Sequence, residues 1–267
     1  MTSGFIDDLR QTSVIMRHEF HKYVRGKKLF AFIILIAAIL AIFTLARPLA
    51  GTDFPSESKD FMNIYILIVQ ILAIIAVAVF SSNLLVSEYE ERTGLLLFTR
   101  PIKKGAIFTG KFLAGFIMST VLIVVYYLIV AILSQVITGA IFDKIWLSLG
   151  LMVLFIFGAT GLAFFFGSVF KRSSSSIVVT ILALILIGQM VSQIFAMYSI
   201  EPWFSLSYAS SSITTVFTGA TTSVVHTSLT GTIWSYVPDV TLSAMVMICW
   251  GIFTLLFAFM AYNRKSF

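Results

Sequence analysis

Ser87-Glu88-Tyr89-Glu90-Glu91-Arg92-Thr93-Gly94-Leu95-Leu96-Leu97-Phe98-Thr99-Arg100-Pro101-Ile102-Lys103-Lys104 is the stretch from which the rest of the chain takes its meaning. It holds Glu88, Glu90, Glu91, Arg92, Arg100, Lys103 and Lys104, in a chain of which only 11% is charged. Apolar runs at 61–86 and 111–137 flank it. A hydrocarbon core about 30 Å thick takes about 20 helical residues, so each run is long enough to cross. The charged island between them has to sit in water. Nothing beside it resembles a catalytic centre. It reads as a docking handle, 87–104, through which another protein works the membrane part.

Four further runs of similar length lie at 29–46, 145–170, 177–199 and 241–262. They are continuous rather than alternating, which excludes a strand barrel. Composition agrees: 59% of the residues are hydrophobic, mean hydropathy is +1.00, and Phe occurs 26 times. A soluble domain has about a quarter of its residues charged, so almost nothing is left for one. The expected fold is an all-α integral membrane protein of six transmembrane helices at 29–267, with an outer segment at 200–240. The single cysteine, Cys249, excludes an internal disulfide and a multi-thiolate metal site.

Residues 1–28 precede the first span. Phe5, Leu9, Ile15, Met16, Phe20, Tyr23 and Val24 interleave with Arg10, Arg17, Lys22, Arg25, Lys27 and Lys28 at near-helical spacing. Such a helix can lie in the headgroup layer with its cations on lipid phosphates, or serve only as a basic tail that orients the first span. Early Asp7 and Asp8, and no small-residue cleavage site, argue against a cleavable signal.

Orientation follows from Lys and Arg. With the N-terminus in the cytoplasm, the outer side keeps only Arg47, Lys59 and Lys144 of the 18 cations, whereas the acids divide evenly. Both termini and the 87–110 segment are then cytoplasmic. The net charge of +6 is thus a topology signal rather than a nucleic-acid signal. No charged residue is expected mid-membrane, where ion-coupled carriers place theirs, so energy for any transport comes from outside the bilayer.

Milder polarity occurs within the spans. Gln70, Tyr126, Gln189 and Gln193 are candidates for lining a pathway, and Gln189 and Gln193, four apart, share one helical face. Ordinary interhelical hydrogen bonding is the competing reading. Gly158, Gly161, Ala163 and Gly167 in the fourth span point to close helix contacts. The stretch from Ile200 to Val240 is rich in Ser and Thr, has no Lys or Arg, and places Trp203, Trp234 and Tyr236 where an interface would hold them. It reads as a partly re-entrant outer cap, against a disordered loop.

Several motifs fail. Gly105 to Lys111 has phosphate-loop spacing, but Phe112 stands where Ser or Thr must reach Mg²⁺ and no strand precedes it. His226-Thr227-Ser228 lacks an acidic orienter nearby, which also argues against an intramembrane hydrolase. His18 and His21 are the only neighbouring histidines, so no metal site is expected.

Six spans, an amphipathic leading helix and an acidic Thr-Gly segment after span two resemble the permeases of ABC-2-type transporters. The similarity is densest from Glu88 to Lys111: acidic residues, Thr93-Gly94, a leucine run, Thr99-Arg100-Pro101, basic residues, then Gly110-Lys111 opening span three. Pro202 with 206–208 is similar to the family's outer segment after span five. The resemblance implies a non-enzymatic membrane subunit: an exporter of alternating access, in the plasma membrane, paired with a second permease (a copy of itself or a different one) and with two separate ATP-binding subunits that hold ATP and Mg. It makes 87–104 a cytoplasmic coupling helix, with Glu88, Glu91, Arg92, Thr93, Gly94 and Pro101 as ATPase-coupling residues. The residues fit that role: Ser87 and Glu90 have capping-box spacing, Glu88 and Glu91 share a face, Gly94 permits a turn, and Pro101 suits a helix start. The alternative is a non-transporting scaffold or sensor recruiting a cytoplasmic partner through the same segment.

Overall fold

The computed structural model describes residues 2–49, 51, 53–87, 103–219, 224–228 and 231–264, with backbone alone at 2–6, 224–228 and 231–235. Its elements are α1 (Thr2–Arg25), α2 (Lys27–Leu49), α3 (Ser58–Phe80), α4 (Lys104–Thr138), α5 (Ile145–Val169), α6 (Ser173–Leu182), a π-helical turn (Ala183–Ile187), α7 (Gly188–Met197), α8 (Leu206–Ser210), α9 (Ser212–Thr218), strands β1 (Val224–Ser228) and β2 (Gly231–Ser235), and α10 (Val240–Arg264). Among the described residues six helices are long and apolar enough to cross a membrane: α2, α3, α4, α5, the continuous run Ser173–Met197, and α10. The chain is a multi-pass membrane protein, and among the described residues its regular elements are helices and one hairpin.

Boundaries differ from the sequence expectation at several spans, the first three among them. The second span ends at Phe80, and 81–85 form a run of turns rather than its last helical residues. The third begins at Lys104, so Lys111 lies two turns inside it; the phosphate-loop-like spacing is therefore plain helix. The first passes through Arg47 and Pro48 to Leu49, because proline in a last turn removes a donor without barring helical φ. The strands pair antiparallel with Val224 opposite Ser235 and His226 opposite Ile233, where the sequence reading had no strand.

Helix ends have local causes. Asp239 Oδ1 accepts the Thr241 amide at 2.7 Å and caps α10. Gly139 ends α4 in the left-handed region, φ 74°, which a residue with Cβ resists. At 35 residues α4 measures about 52 Å, roughly 20 Å more than the hydrocarbon needs; its excess carries Lys104 and Lys111.

Among the described residues the core is one cluster, drawn mainly from α3, α4, α5, α8, α9 and α10 with Tyr23 of α1 and Phe32, Ile36 and Leu40 of α2 joined to it, and built on Tyr65, Tyr126, Phe155, Phe164 and Phe217. The tightest seam joins α5 to α10. A Cβ on Gly158 would stand 3.0 Å from the Met247 carbonyl oxygen, and one on Gly161 2.9 Å from that of Gly251. The small residues of the fourth span thus serve close backbone approach, as expected from their spacing; Gly167 does the same against the Ser82 carbonyl. By contrast, α2 buries only Phe32, Ile36 and Leu40.

After α7 the chain turns back along it. Ser192 Oγ donates to Ser205 Oγ at 2.9 Å, and the rings of Phe195 and Phe204 meet edge to face. Trp250 Nε1 donates to the Phe204 carbonyl at 2.7 Å; Trp250 lies about 15 Å along α10. Gln70, about 18 Å into α3, donates through Nε2 to Ser210 Oγ at 2.6 Å. The chain then climbs again: Ser148 Oγ, near the start of α5, donates to the Ile213 carbonyl at 3.0 Å, and Phe217 packs on Phe142 in the α4–α5 connection.

Candidate functional site

The charged segment is bracketed by Ser87 on one side and Lys103 on the other, the described residues nearest to it. Glu88, Glu91, Arg92, Thr93, Gly94 and Pro101 lie outside the described residues, so the site is read from its two stems and from what grips them.

On α1, residues Thr12, Ile15, Met16, Glu19, Phe20 and Tyr23 fall on one stripe, at helical spacing, and face α4 and the end of α3. Gly110 makes the approach possible: a Cβ there would lie 2.9 Å from the Thr12 carbonyl oxygen and 3.0 Å from Ile15 Cβ. Along the contact, Lys103 Nζ pairs with Asp8 Oδ2 at 2.7 Å. The hydroxyls of Thr12 and Thr109 lie 3.4 Å apart. Lys111 Nζ lies 3.4 Å from Glu19 Oε1, with both side chains under a tenth exposed. The exposed face of α1 carries Arg17, His18, His21, Lys22 and Arg25, so the cations are turned away from the bundle.

The first stem is the run of turns at 81–85, buried but for Asn83. Helix geometry lapses there, and carbonyls lose their partners in surroundings where each unmet group costs several kcal/mol. Side chains supply the bonds. Ser82 Oγ donates to the Ala78 carbonyl at 2.6 Å. The Tyr23 hydroxyl donates to the Phe80 carbonyl, Ser176 Oγ of α6 to that of Ser82 at 3.0 Å, and Lys111 Nζ to that of Leu84 at 2.7 Å. Ser87 Oγ also donates to Leu84, at 3.3 Å. Burial, and then the nearby Glu19 carboxylate, push the Tyr23 phenol well above its usual range.

The pathway candidates separate. Tyr126 is fully buried and its hydroxyl donates to the Tyr65 carbonyl at 2.9 Å; Gln70 holds Ser210. These two make interhelical bonds. Gln189 and Gln193 instead stand exposed on α7, on a span of which only 11% is buried. The chain does not bring all four onto one surface. A groove of about 640 Å³ opens elsewhere, between α1, α4 and α10, walled by Leu9, Phe108, Phe112, Leu255 and Phe259 and rimmed by Asp8 and Lys103.

Sequence reasoning missed the Glu19–Lys111 pair and the turn at 81–85. One signal was available for the first. Glu19 is the lone acid on the apolar stripe of α1, and a carboxylate on a buried stripe calls for a cation. Among the described residues no three His, Cys, Asp or Glu side chains converge as a metal site would require.

A sequence model of the ABC-2 family transporter proteins matches residues 15–188, more than half of the chain. The chain belongs to the ABC-2 transporter family. It is the membrane domain of an ABC transporter, a permease, and as such the non-catalytic component; permeases of this family usually pair with ATP-binding subunits. The match runs from within α1, through the charged segment, to the start of α7. Among curated proteins none matches.

Proposed function

We propose that this ABC-2 permease is the membrane subunit of an exporter in the plasma membrane, with both termini cytoplasmic. It works by alternating access as a dimer with two separate ATP-binding subunits, which hold the ATP and Mg. The segment 87–104 is the coupling helix, and Glu88, Glu91, Arg92, Thr93, Gly94 and Pro101 meet the ATPase. One observation carries the reading: both stems of that segment are tied to the same helix, Ser87's through Tyr23 and Phe80, Lys103's through Asp8. A push on the segment therefore reaches α1, α3 and α4 together.

Other features support the finer parts. The cationic face of α1 suits anionic headgroups at the inner surface, in line with the placement of Lys and Arg. The thinly covered α6–α7 span, with Gln189 and Gln193 exposed among Leu186, Ile187, Met190 and Ile194, suits a second permease, since amides facing lipid favour a hydrogen-bonding partner. The return of 204–218 into the bundle supports a re-entrant outer cap.

The test is co-purification with the ATP-binding subunit. Glu88→Lys combined with Glu91→Lys reverses two charges expected to pair with Arg or Lys on the partner, and is expected to abolish both association and stimulated ATP hydrolysis. Unchanged association and hydrolysis refute the coupling assignment. Association with ATP hydrolysis but no transport in vesicles would favour a recruiting scaffold.

A further inference from the structure

The bonds around 81–85 do more than complete a frayed helix. The carbonyls of Phe80, Ser82 and Leu84 are each met by a side chain from a different helix: Tyr23 of α1, Ser176 of α6 and Lys111 of α4. Three independent helices thus fix one short unwound stretch, at the point where α3 gives way to the charged segment. Two of these contacts involve neutral hydroxyls. The third uses a cation with a side chain only 5% exposed, and a buried cation is costly unless paired. Glu19 supplies the pairing at 3.4 Å, while its other oxygen, Oε2, is buried without a hydrogen-bond partner. An arrangement with one carboxylate oxygen unmet is not built for maximum stability. It is suited to fixing a position that can be released.

We propose that Lys111 is a positioning residue for coupling: it holds the unwound turn 81–85 in its resting place, and Glu19 on α1 keeps that hold in register. Lys111 joins the Leu84 carbonyl to the Glu19 carboxylate, contacts that must break or move together if the turn shifts. The turn is consequently a joint with a latch, and α1 is the fixed side of the latch. Gly167 and Gly115 leave room for it: a Cβ on Gly167 would meet the Ser82 carbonyl oxygen at 2.6 Å, and one on Gly115 would meet Ser81 Oγ at 2.7 Å. The joint is thus cleared of side chains on two sides and pinned by donors on three. In its link to transport this inference rests on 87–104 being the coupling segment; the latch itself does not.

The experiment measures amide hydrogen exchange of the full-length chain in lipid nanodiscs, comparing peptides covering 79–87 with peptides covering 145–169. Lys111→Met is expected to speed exchange at 79–87 by about tenfold or more, the effect of losing a charge-assisted bond on local opening, and to leave 145–169 unchanged. Lys111→Arg, which keeps charge and donors, is expected to restore protection, and Glu19→Gln to give an intermediate rise. If Lys111→Met does not insert, Glu19→Gln and Tyr23→Phe carry the same comparison. Unchanged exchange at 79–87, or an equal rise in both regions, overturns the latch. With the ATP-binding subunit present, the parent is expected to change its exchange at 79–87 when ATP is added, and Lys111→Met to co-purify yet lose that change; no ATP-dependent change in the parent, or a response in Lys111→Met like the parent's, overturns the positioning role. Failure of the coupling reading shows differently, as intact association after reversal of Glu88 and Glu91.

Discussion

Replacing Gly161 by alanine tests the seam between α5 and α10 at the level of single atoms. The new Cβ would lie 2.4 Å from Thr254 Oγ1, 2.9 Å from the Gly251 carbonyl oxygen and 3.3 Å from Gly251 Cα. Ordinary contact begins near 3.5 Å, so α10 must retreat by about 1 Å or Thr254 must turn. Thr254 is not free to turn without loss, because its Oγ1 donates to the Trp250 carbonyl at 2.6 Å. Overpacking of this kind costs about 1–3 kcal/mol, set against about 1 kcal/mol gained in helix propensity. A net loss of about 1 kcal/mol is expected. Gly150→Ala, also within α5, supplies the opposite sign: nothing stands within 4 Å of its Cβ, so only the propensity gain remains. Adding Thr254→Ala to Gly161→Ala removes the nearest obstacle but leaves the Gly251 backbone, and should recover part of the loss. The assay is unfolding of the purified chain in mixed micelles, read by the denaturant midpoint. Equal effects of Gly161→Ala and Gly150→Ala, or full recovery in the double variant, would refute backbone proximity as the reason for glycine at 161.

Other outcomes follow from single contacts. Tyr23→Phe removes the donor to the Phe80 carbonyl and should cost about 1–3 kcal/mol, the penalty of an unmet buried acceptor. Because burial and the Glu19 carboxylate raise the Tyr23 phenol well above its ordinary value, about 10, its contribution is whole below about pH 10 and is lost as pH climbs through the raised folded value; unfolding midpoints between about pH 9 and about pH 11, one unit either side of the ordinary tyrosine value, should fall more steeply in the parent than in Tyr23→Phe. Gly139→Ala places a Cβ at φ 74° with open space around it, so the expected loss of about 1 kcal/mol is backbone strain alone, and Gly139→Asn should lose less. Gln193→Cys in a Cys249→Ser background should form an oxidatively cross-linked dimer in membranes if α7 faces a second copy; a monomer under those conditions places a different permease, or lipid, on that face.

Much of the fold was legible because hydropathy is a local signal. Six continuous apolar runs give six spans whatever their order in space, and the glycines of α5 announced a close seam by spacing alone. What the chain does at its inner end was not legible, for a reason that applies to each miss. Glu19 and Lys111 are 92 positions apart, and each taken alone belongs to a basic tail or to a span end. Ser81, Ser82 and Asn83 fall at the end of an apolar run and carry no local sign of a turn, because the donors that meet the backbone there sit on three other helices. Gln189 and Gln193 were rightly put on one face, but periodicity does not say whether a face looks inward or outward. The coupling residues themselves, Glu88 to Pro101, remain where the sequence reading left them, as a proposal resting on their stems.

The glycine seam between α5 and α10 has a mechanical consequence. Two backbones that approach without intervening side chains have little freedom to slide, since any shift drives a carbonyl into the opposite helix. The pair therefore acts as a stator. Elements covered more lightly have more freedom against it: α2, with Phe32, Ile36 and Leu40 as its buried side chains, and the α6–α7 span, which interrupts its own winding with a π-helical turn.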